Sequence, residues 1–260
     1  TTTTATAVTG VEVTSSATKS TIELSHATAI GTAALNKAQV SEVLISGKGA
    51  TAITVNENSK LVLAEDQGSA VVANIDDAKA TPTLVSGTLL LDVNASQTTS
   101  VATGAKVDTV LLTAGKLADK DGKAQTVTIK DFITHTATDT IVVNGANDLV
   151  ITKLSSGDAD TVVATAHTGK LTINDFTTGM TTKVFSGSNN DTFVSKTAAA
   201  VLEITSGAGN DTVDLSVSTA ANKINLGEGD DTITFGKTDA AVAIGANEIT
   251  LGAGKDTVVF

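Results

Sequence analysis

Short apolar clusters recur along the whole chain, and Gly, Asn, Asp, Ser and Thr separate them. This alternation is typical of many short strands joined by turns. Helical periodicity is scarce, and only Ala33–Val40 predicts one or two helical turns at a bend. The clusters that predict strands are Val43–Ile45, Ile53–Val55, Leu61–Leu63, Val71–Val72, Leu84–Val85, Leu89–Val93, Val110–Leu112, Val127–Ile129, Ile141–Val143, Leu149–Ile151, Val162–Val163 and Leu171–Ile173.

Near the end of the chain, apolar residues alternate with threonines one by one. After Asp211, for example, Thr212 and Asp214 alternate with Val213 and Leu215. Successive side chains of a strand point to opposite faces, so the apolar set is expected to face inward and the Thr set outward. The residues expected to face inward are Val213, Leu215, Val217, Ile233, Phe235, Val258 and Phe260.

An internal repeat accompanies these strands. The triplet Asp-Thr-apolar begins at seven positions, and the spacing from Asp191 to Asp211 and from Asp211 to Asp231 is twenty residues. A period near twenty with short strands predicts an all-β fold, a right-handed parallel β-helix or β-roll. Amphipathic hairpins in a sandwich are the alternative that the pattern leaves open. The seven triplets begin at Asp108, Asp139, Asp160, Asp191, Asp211, Asp231 and Asp256.

Composition restricts the chemistry. The chain of 260 residues is 41% hydrophobic and only 2% aromatic, and it carries a net charge of −11 without any cysteine. An acidic chain is a poor nucleic-acid binder, because that affinity comes from Lys and Arg on phosphates. Disulfides, thiol catalysis and Cys-based zinc sites are excluded. No stretch reaches the roughly 18 apolar residues of a membrane helix.

One motif, Gly-x-Gly-x-Asp-Thr, precedes the last strands. It is complete three times, and in a looser fourth copy Asn189 replaces the second glycine. Glycines allow a tight loop to turn its carbonyls to one side, where the Asp adds a carboxylate. Oxygen ligands on such a loop suit Ca²⁺. The predicted metal ligands are Gly187, Asn189, Asp191, Gly207, Gly209, Asp211, Gly227, Gly229, Asp231, Gly252, Gly254 and Asp256.

Stacking of these loops strengthens the case for a cation. Equivalent loops on adjacent coils would lie about 4.8 Å apart. Two carboxylates at that distance repel by about 1 kcal/mol in bulk water and by several times more at a protein surface. A column of aspartates therefore disfavours the fold unless a cation lies between the coils, and Ca²⁺ is expected there.

Other charged or ionisable residues give weaker signals. Asp119, Asp121 and Gly122 form a fragment of a calcium loop that lacks its remaining ligands, and a solvated turn is the preferred interpretation. The pair Asp76-Asp77 is expected in an exposed turn. His26, His135 and His167 are scattered away from the Gly-x-Gly loops, so zinc is not expected. No catalytic motif is present, and the chain is not expected to be an enzyme.

Residues 186–260 resemble the repeats-in-toxin (RTX) family, whose nonapeptide G-G-x-G-x-D-x-apolar-x forms a calcium-binding parallel β-helix. Here Ser206, Leu226 or Leu251 replaces the first glycine, and the opposite side of each coil has no second Asp motif. The resemblance implies type I secretion and folding by extracellular Ca²⁺. The last five residues, from Asp256 to Phe260, are either similar to the family's secretion signal or simply the last coil. Residues 126–260 are expected to form the calcium-binding part, and residues 1–125 a degenerate solenoid or a separate interaction domain.

The Thr-rich, acidic and Cys-free composition also resembles RTX-type surface-layer proteins of Gram-negative bacteria. This resemblance implies a secreted structural protein that self-assembles into a lattice on the cell surface. Expected partners are further copies of the chain and, through a part outside this sequence, outer-membrane polysaccharide. Two other functions stay open: a segment of a large RTX adhesin, and the C-terminal secretion and folding domain of an RTX protease or lipase.

Overall fold

All regular secondary structure in the part of the chain that the structure describes is β-strand, as the sequence predicts. The structure is a computed structural model. It describes residues 2–4, 20–24, 32–34, 40–55, 59–75, 87–115, 125–156, 160–177, 181–236 and 245–260.

The strands form a parallel β-solenoid made of two 12-stranded sheets. From β4 onward, successive strands alternate between the sheets, with one exception at β13 and β14, which both pair with β11. The first sheet contains, in spatial order, β1 (Thr2–Thr4), β2 (Ser20–Leu24), β4 (Val40–Ile45), β6 (Lys60–Leu63), β8 (Gly87–Val93), β10 (Val107–Ala114), β12 (Thr140–Asn144), β15 (Thr161–Val163), β17 (Thr181–Phe185), β19 (Val201–Thr205), β21 (Lys223–Asn225) and β23 (Glu248–Thr250).

The second sheet runs alongside the first. Its strands, in spatial order, are β3 (Thr32–Ala34), β5 (Ala52–Val55), β7 (Val71–Ile75), β9 (Gln97–Thr103), β11 (Thr126–Thr134), β13 (Asp148–Ile151), β16 (Leu171–Ile173), β18 (Thr192–Val194), β20 (Thr212–Leu215), β22 (Thr232–Phe235) and β24 (Thr257–Val259), and β14 (Leu154–Ser156) extends β13 along β11.

Strand pairing runs without a break through both halves of the chain. β10 pairs with β12, and β9 pairs with β11, so strands on the two sides of residue 125 belong to the same two sheets. Inward-facing Val, Ile, Leu and Ala of both sheets form one continuous core. Small β-branched residues suit such a thin interior, because they pack well on a pleated surface.

Side-chain direction follows the predicted alternation in most strands. Val213, Leu215 and Ile233 are fully buried or nearly so. The prediction is wrong for Val217, because β20 ends at Leu215 and Val217 lies in the following turn. Its side chain is 47% exposed. Val258 and Phe260 are also exposed, because β24 is the last strand of its sheet among the described residues and pairs with β22 alone.

The helical prediction for Ala33–Val40 is wrong where the structure describes it. Ala33 and Ala34 belong to β3, and β4 begins at Val40. Residues 35–39 lie outside the described residues, as do Leu84–Val85 and Pro82. The other predicted apolar clusters all lie in strands.

The solenoid has two corners, and the Asp-Thr triplets divide between them. We call the turn from a first-sheet strand to a second-sheet strand the outgoing corner, and the turn back the return corner. Thr109, Thr140 and Thr161 are neighbours in the first sheet, so the aspartates before them lie at the return corner. The four threonines after Asp191, Asp211, Asp231 and Asp256 are neighbours in the second sheet, at the outgoing corner. The change of corner falls between Asp160 and Asp191 and accounts for the longer spacing of the repeat at that step.

Candidate metal centre

Four aspartates stack at the outgoing corner and form what we call the aspartate column: Asp191, Asp211, Asp231 and Asp256. The backbone N–H of each aspartate donates to Oδ1 of the next, at 2.7 Å from Asp191 to Asp211, 2.7 Å from Asp211 to Asp231 and 3.1 Å from Asp231 to Asp256. At the start of the column, Leu171 donates to Asp191 Oδ1 at 2.7 Å. The stacking that the repeat predicts is therefore present.

The Gly-x-Gly turns that carry these aspartates also stack coil on coil. Gly207, Gly227 and Gly252 have φ values of 96°, 96° and 99°, a region that L side chains rarely enter. Contact with the preceding coil excludes a side chain as well, since a Cβ at Gly227 would lie 1.9 Å from the carbonyl oxygen of Gly207. The glycines are thus required by conformation and by close backbone approach.

Backbone oxygens of the turns divide into two groups. The carbonyl of Gly207 accepts a hydrogen bond from the Glu228 N–H at 2.9 Å, and that of Gly227 accepts from Ala253 at 2.8 Å. The carbonyls of Gly209 and Gly229 accept no backbone hydrogen bond from the next coil. These two carbonyls, unlike those of Gly207 and Gly227, have no backbone hydrogen bond that a ligand would have to displace.

The second carboxylate oxygens give the main electrostatic observation. Oδ2 of Asp211 and Oδ2 of Asp231 are buried and have no hydrogen-bond partner. The nearby Ser206 hydroxyl donates to the Leu226 carbonyl at 2.6 Å. Buried carboxylate oxygens without a donor, a proton or a cation are costly.

Burial and like charges shift the acidity of the column. Burial raises the pKa of Asp211 to about 7, and the neighbouring carboxylates of Asp191 and Asp231 add to that rise. Burial also raises the pKa of Asp231. For Asp191 burial raises the pKa, while a hydrogen bond from the Ser186 hydroxyl to Oδ2 offsets part of the rise. The column is therefore poised to take up a positive charge.

These oxygens fit a hard divalent cation. Ca²⁺ takes roughly 6–8 oxygen ligands from carboxylates, carbonyls and water. Asp211 and Asp231 would supply carboxylate oxygens to such a cation, and Gly209 and Gly229 would supply backbone carbonyl oxygens. Among the described residues, no group of three or more His, Cys, Asp or Glu side chains is placed to hold a metal, so backbone carbonyls and water would have to supply much of the shell.

The two ends of the column differ from its middle. Gly187 does not have the positive φ of the other turn glycines, and a Cβ there would lie 2.5 Å from the His167 carbonyl oxygen. The Asn189 side chain donates to the Thr168 carbonyl and so holds the first turn to the coil before it. At the other end, Gly252 and Gly254 are exposed, and Asp256 is half-buried in the last coil.

The expectation that His167 lies away from the Gly-x-Gly loops is wrong, because it lies one coil before Asp191 at the same corner, with its backbone carbonyl against Gly187. Its side chain is 2% exposed, and neither ring nitrogen has a hydrogen-bond partner. Its position, about twenty residues before the loop at 186–191, is the only sequence signal that places it at the column. His135 lies in an exposed turn, and His26, Asp76-Asp77 and the Asp119–Gly122 loop fall outside the described residues.

The outgoing corner of the N-terminal half carries neutral amides in place of aspartates. Gln67 and Gln97 are 2% and 1% exposed, and we call them the amide ladder. The Ala50 N–H donates to Gln67 Oε1, and the Gln67 N–H donates to Gln97 Oε1, both at 3.1 Å. Nε2 of Gln67 donates to the carbonyls of Gly47 and Glu65, so both ends of the amide are satisfied.

The return corner of the C-terminal half also uses an amide. The Leu202 N–H donates to Asn222 Oδ1, and the Asn222 N–H donates to Asn247 Oδ1, both at 2.9 Å. Nδ2 of Asn222 donates to Ser218, Ala220 and Asn247. In the last coils, stacked carboxylates therefore lie at the outgoing corner, and stacked amides lie at the return corner.

Neither the fold nor the site is tied to a known group by similarity: no family model, no curated protein and no solved structure matches the chain. No helix among the described residues is long and apolar enough to cross a membrane.

Proposed function

We propose that this chain is a secreted structural protein whose C-terminal coils bind Ca²⁺ at the aspartate column and which assembles into a lattice on the cell surface. The observation that carries the calcium part is the pair of buried, unpartnered oxygens on Asp211 and Asp231. The resemblance to RTX surface-layer proteins in composition and motif supports the lattice part.

Calcium would act by linking binding to folding. In the unfolded chain the aspartates are separate and solvated, whereas in the folded chain they are stacked and desolvated. A cation that neutralises the stack binds the folded state preferentially, and its binding free energy adds to the free energy of unfolding. At low Ca²⁺ the column is repulsive, so the C-terminal coils are held open. This is the behaviour that export of an unfolded chain requires.

Two alternative functions, a segment of an adhesin and a secretion domain, would also contain a calcium-dependent solenoid. They differ from the proposed function because they would not assemble into a lattice. A titration with Ca²⁺, followed by circular dichroism and light scattering on the same sample, separates them. We expect β-structure to rise first and large particles to form next, and Mg²⁺, which dehydrates reluctantly, to do neither at equal concentration. Folding without particle formation would favour the adhesin or the secretion domain. Circular dichroism that does not respond to Ca²⁺ or to a chelator would refute the calcium site.

A further inference from the structure

The turns of the aspartate column differ at one buried position, five residues before each aspartate. Ser186 stands there before Asp191, Ser206 before Asp211 and Leu226 before Asp231. All three residues are buried, with 4%, 0% and 0% of their surface exposed. Because solvent does not reach this position, a polar group there must find its partner within the protein.

In the first turn, the serine donates to the aspartate of its own turn. The Ser186 hydroxyl donates to Asp191 Oδ2, and the Leu171 N–H donates to Oδ1 of the same carboxylate at 2.7 Å. Burial raises the pKa of this carboxyl group, and the donors on Ser186, Leu171 and Gly187 each lower it. Both oxygens of Asp191 therefore have a hydrogen-bond donor inside the protein.

In the second turn, the proton of the equivalent serine goes elsewhere. The Ser206 hydroxyl donates to the Leu226 carbonyl at 2.6 Å. A hydroxyl has a single proton, so Ser206 cannot also donate to Asp211, whose Oδ2 is buried without a partner. In the third turn the side chain of Leu226 has no proton to donate, and Oδ2 of Asp231 is likewise buried without a partner.

One backbone feature is common to the three turns. The carbonyl of Asn189, like those of Gly209 and Gly229, accepts no backbone hydrogen bond from the next coil. These turns also stack closely, since a Cβ at Gly209 would lie 2.7 Å from the Asn189 carbonyl oxygen. Among the oxygens that a cation could use, the first turn therefore differs from the next two in its carboxylate, whose second oxygen already has a donor.

We propose that the Ser186 hydroxyl takes the place of a cation at Asp191, so that the metal-binding part of the column begins at Asp211. This inference rests on the proposed function and assigns which aspartates of the column use Ca²⁺. A buried carboxylate oxygen needs a hydrogen-bond donor or a cation, and either one stabilises its charge. Ser186 is thus the residue at which metal-independent coils are joined to coils that depend on the ion.

Ser186→Ala tests this inference, because it leaves Oδ2 of Asp191 in the state that Asp211 and Asp231 already have. By equilibrium dialysis of the full chain in saturating Ca²⁺, we expect the variant to bind one ion more than the parent. At the Ca²⁺ concentration where the parent is half folded, its folding equilibrium constant should be about tenfold lower, since a hydrogen bond to a charged group is lost. Circular dichroism during a Ca²⁺ titration measures that change.

The matched control is Ser206→Ala, the same substitution at the equivalent buried position one coil later. It should bind as many ions as the parent, because the Ser206 hydroxyl bonds a neutral carbonyl and not a carboxylate. If the two variants bind equal numbers of ions, the proposal is wrong. A Ser186→Ala chain that stays unfolded in saturating Ca²⁺ would also overturn it, since a cation should replace the hydroxyl. Failure of the proposed function gives a different result, in which the parent itself binds no Ca²⁺.

Discussion

The amide ladder and the aspartate column occupy the same corner of one solenoid, and each makes the same backbone contact. In both, a side-chain oxygen accepts an N–H from the preceding coil, at 3.1 Å for Gln97 and 2.7 Å for Asp211. The difference lies in the other end of the side chain. Nε2 of Gln97 donates to two carbonyls, whereas Oδ2 of Asp211 has no partner.

This difference separates a ladder whose buried polar groups are satisfied within the protein from a column in which two buried carboxylate oxygens have no partner. An amide has donors and acceptors, and it carries no charge, so it can be stacked without a counter-ion. A carboxylate only accepts, and stacked carboxylates repel. We infer that the outgoing corner of the N-terminal coils is held by its own hydrogen bonds, while the stability of the same corner in the C-terminal coils is set by a cation or by a proton.

A carboxylate placed in the amide ladder should destabilise the N-terminal coils. Gln67→Glu would place an oxygen against the carbonyls of Gly47 and Glu65, which now accept from Nε2. We expect the free energy of unfolding to fall by about 3 kcal/mol at neutral pH, because two acceptors lose their donor and a charge is buried. Chemical denaturation of the variant and of the parent measures this difference in the free energy of unfolding.

Calcium should not rescue Gln67→Glu, since its neighbours in the ladder are Ala50 and the neutral Gln97, so no second carboxylate stacks on it to share a cation. The matched control is Gln125→Glu, at a half-buried position of the same corner. Rescue of Gln67→Glu by Ca²⁺ would show that a carboxylate at this corner is enough to create the site.

The reverse exchange, Asp211→Asn, should have a smaller effect of opposite sign. Asn keeps an oxygen for the Asp191 N–H and removes the charge that burial disfavours. Without Ca²⁺ we expect the variant to be more stable than the parent by about 1 kcal/mol, and the stabilisation by Ca²⁺ should shrink. Thermal melts with and without chelator measure both.

Asp214→Asn is the control for this exchange, because Asp214 faces outward on β20 and accepts only from the Ser216 N–H at 2.8 Å. This substitution removes one carboxylate from the strand that follows Asp211 and leaves the column intact. An Asp211→Asn protein that keeps the full response to Ca²⁺ would remove Asp211 from the site.

A further expected effect is a dependence of stability on pH in the absence of calcium. The pKa of Asp211 rises from 3.8 to about 7 on folding. Between those values the folded chain holds a proton that the unfolded chain has released, so the free energy of unfolding falls as pH rises across this window. Saturating Ca²⁺ should oppose this fall, because it binds the ionised form.

Denaturation midpoints near pH 4 and near pH 7, measured with chelator, test this sign. Asp211→Asn should flatten the curve, whereas Asp214→Asn should not. A parent protein whose stability rises across the window without Ca²⁺ would show that the carboxylate is stabilised by a partner inside the protein.

The sequence predicts what is local and repeated. Period-two alternation and a spacing of twenty residues are properties of the chain itself, and they predict the strands, the solenoid and the stacking of Asp211 on Asp231. The exposed Val217 was missed because alternation does not show where a strand ends.

Contacts between side chains on different coils cannot be predicted from local sequence patterns. Gln67 and Gln97 are thirty residues apart and stand in no common motif, so only the three-dimensional register makes them neighbours. The position of His167 beside the column was missed for the same reason.

Hydrogen exchange of the full chain, with Ca²⁺ and with chelator, tests the contrast between the two stretches most directly. With chelator, we expect amides in 186–236 and 245–260 to lose most of their protection, while those in 59–75 and 87–115 keep theirs. Restored Ca²⁺ should return protection to the first set. Equal loss of protection in both stretches, or none in either, would contradict the division between a self-sufficient amide ladder and a cation-dependent aspartate column.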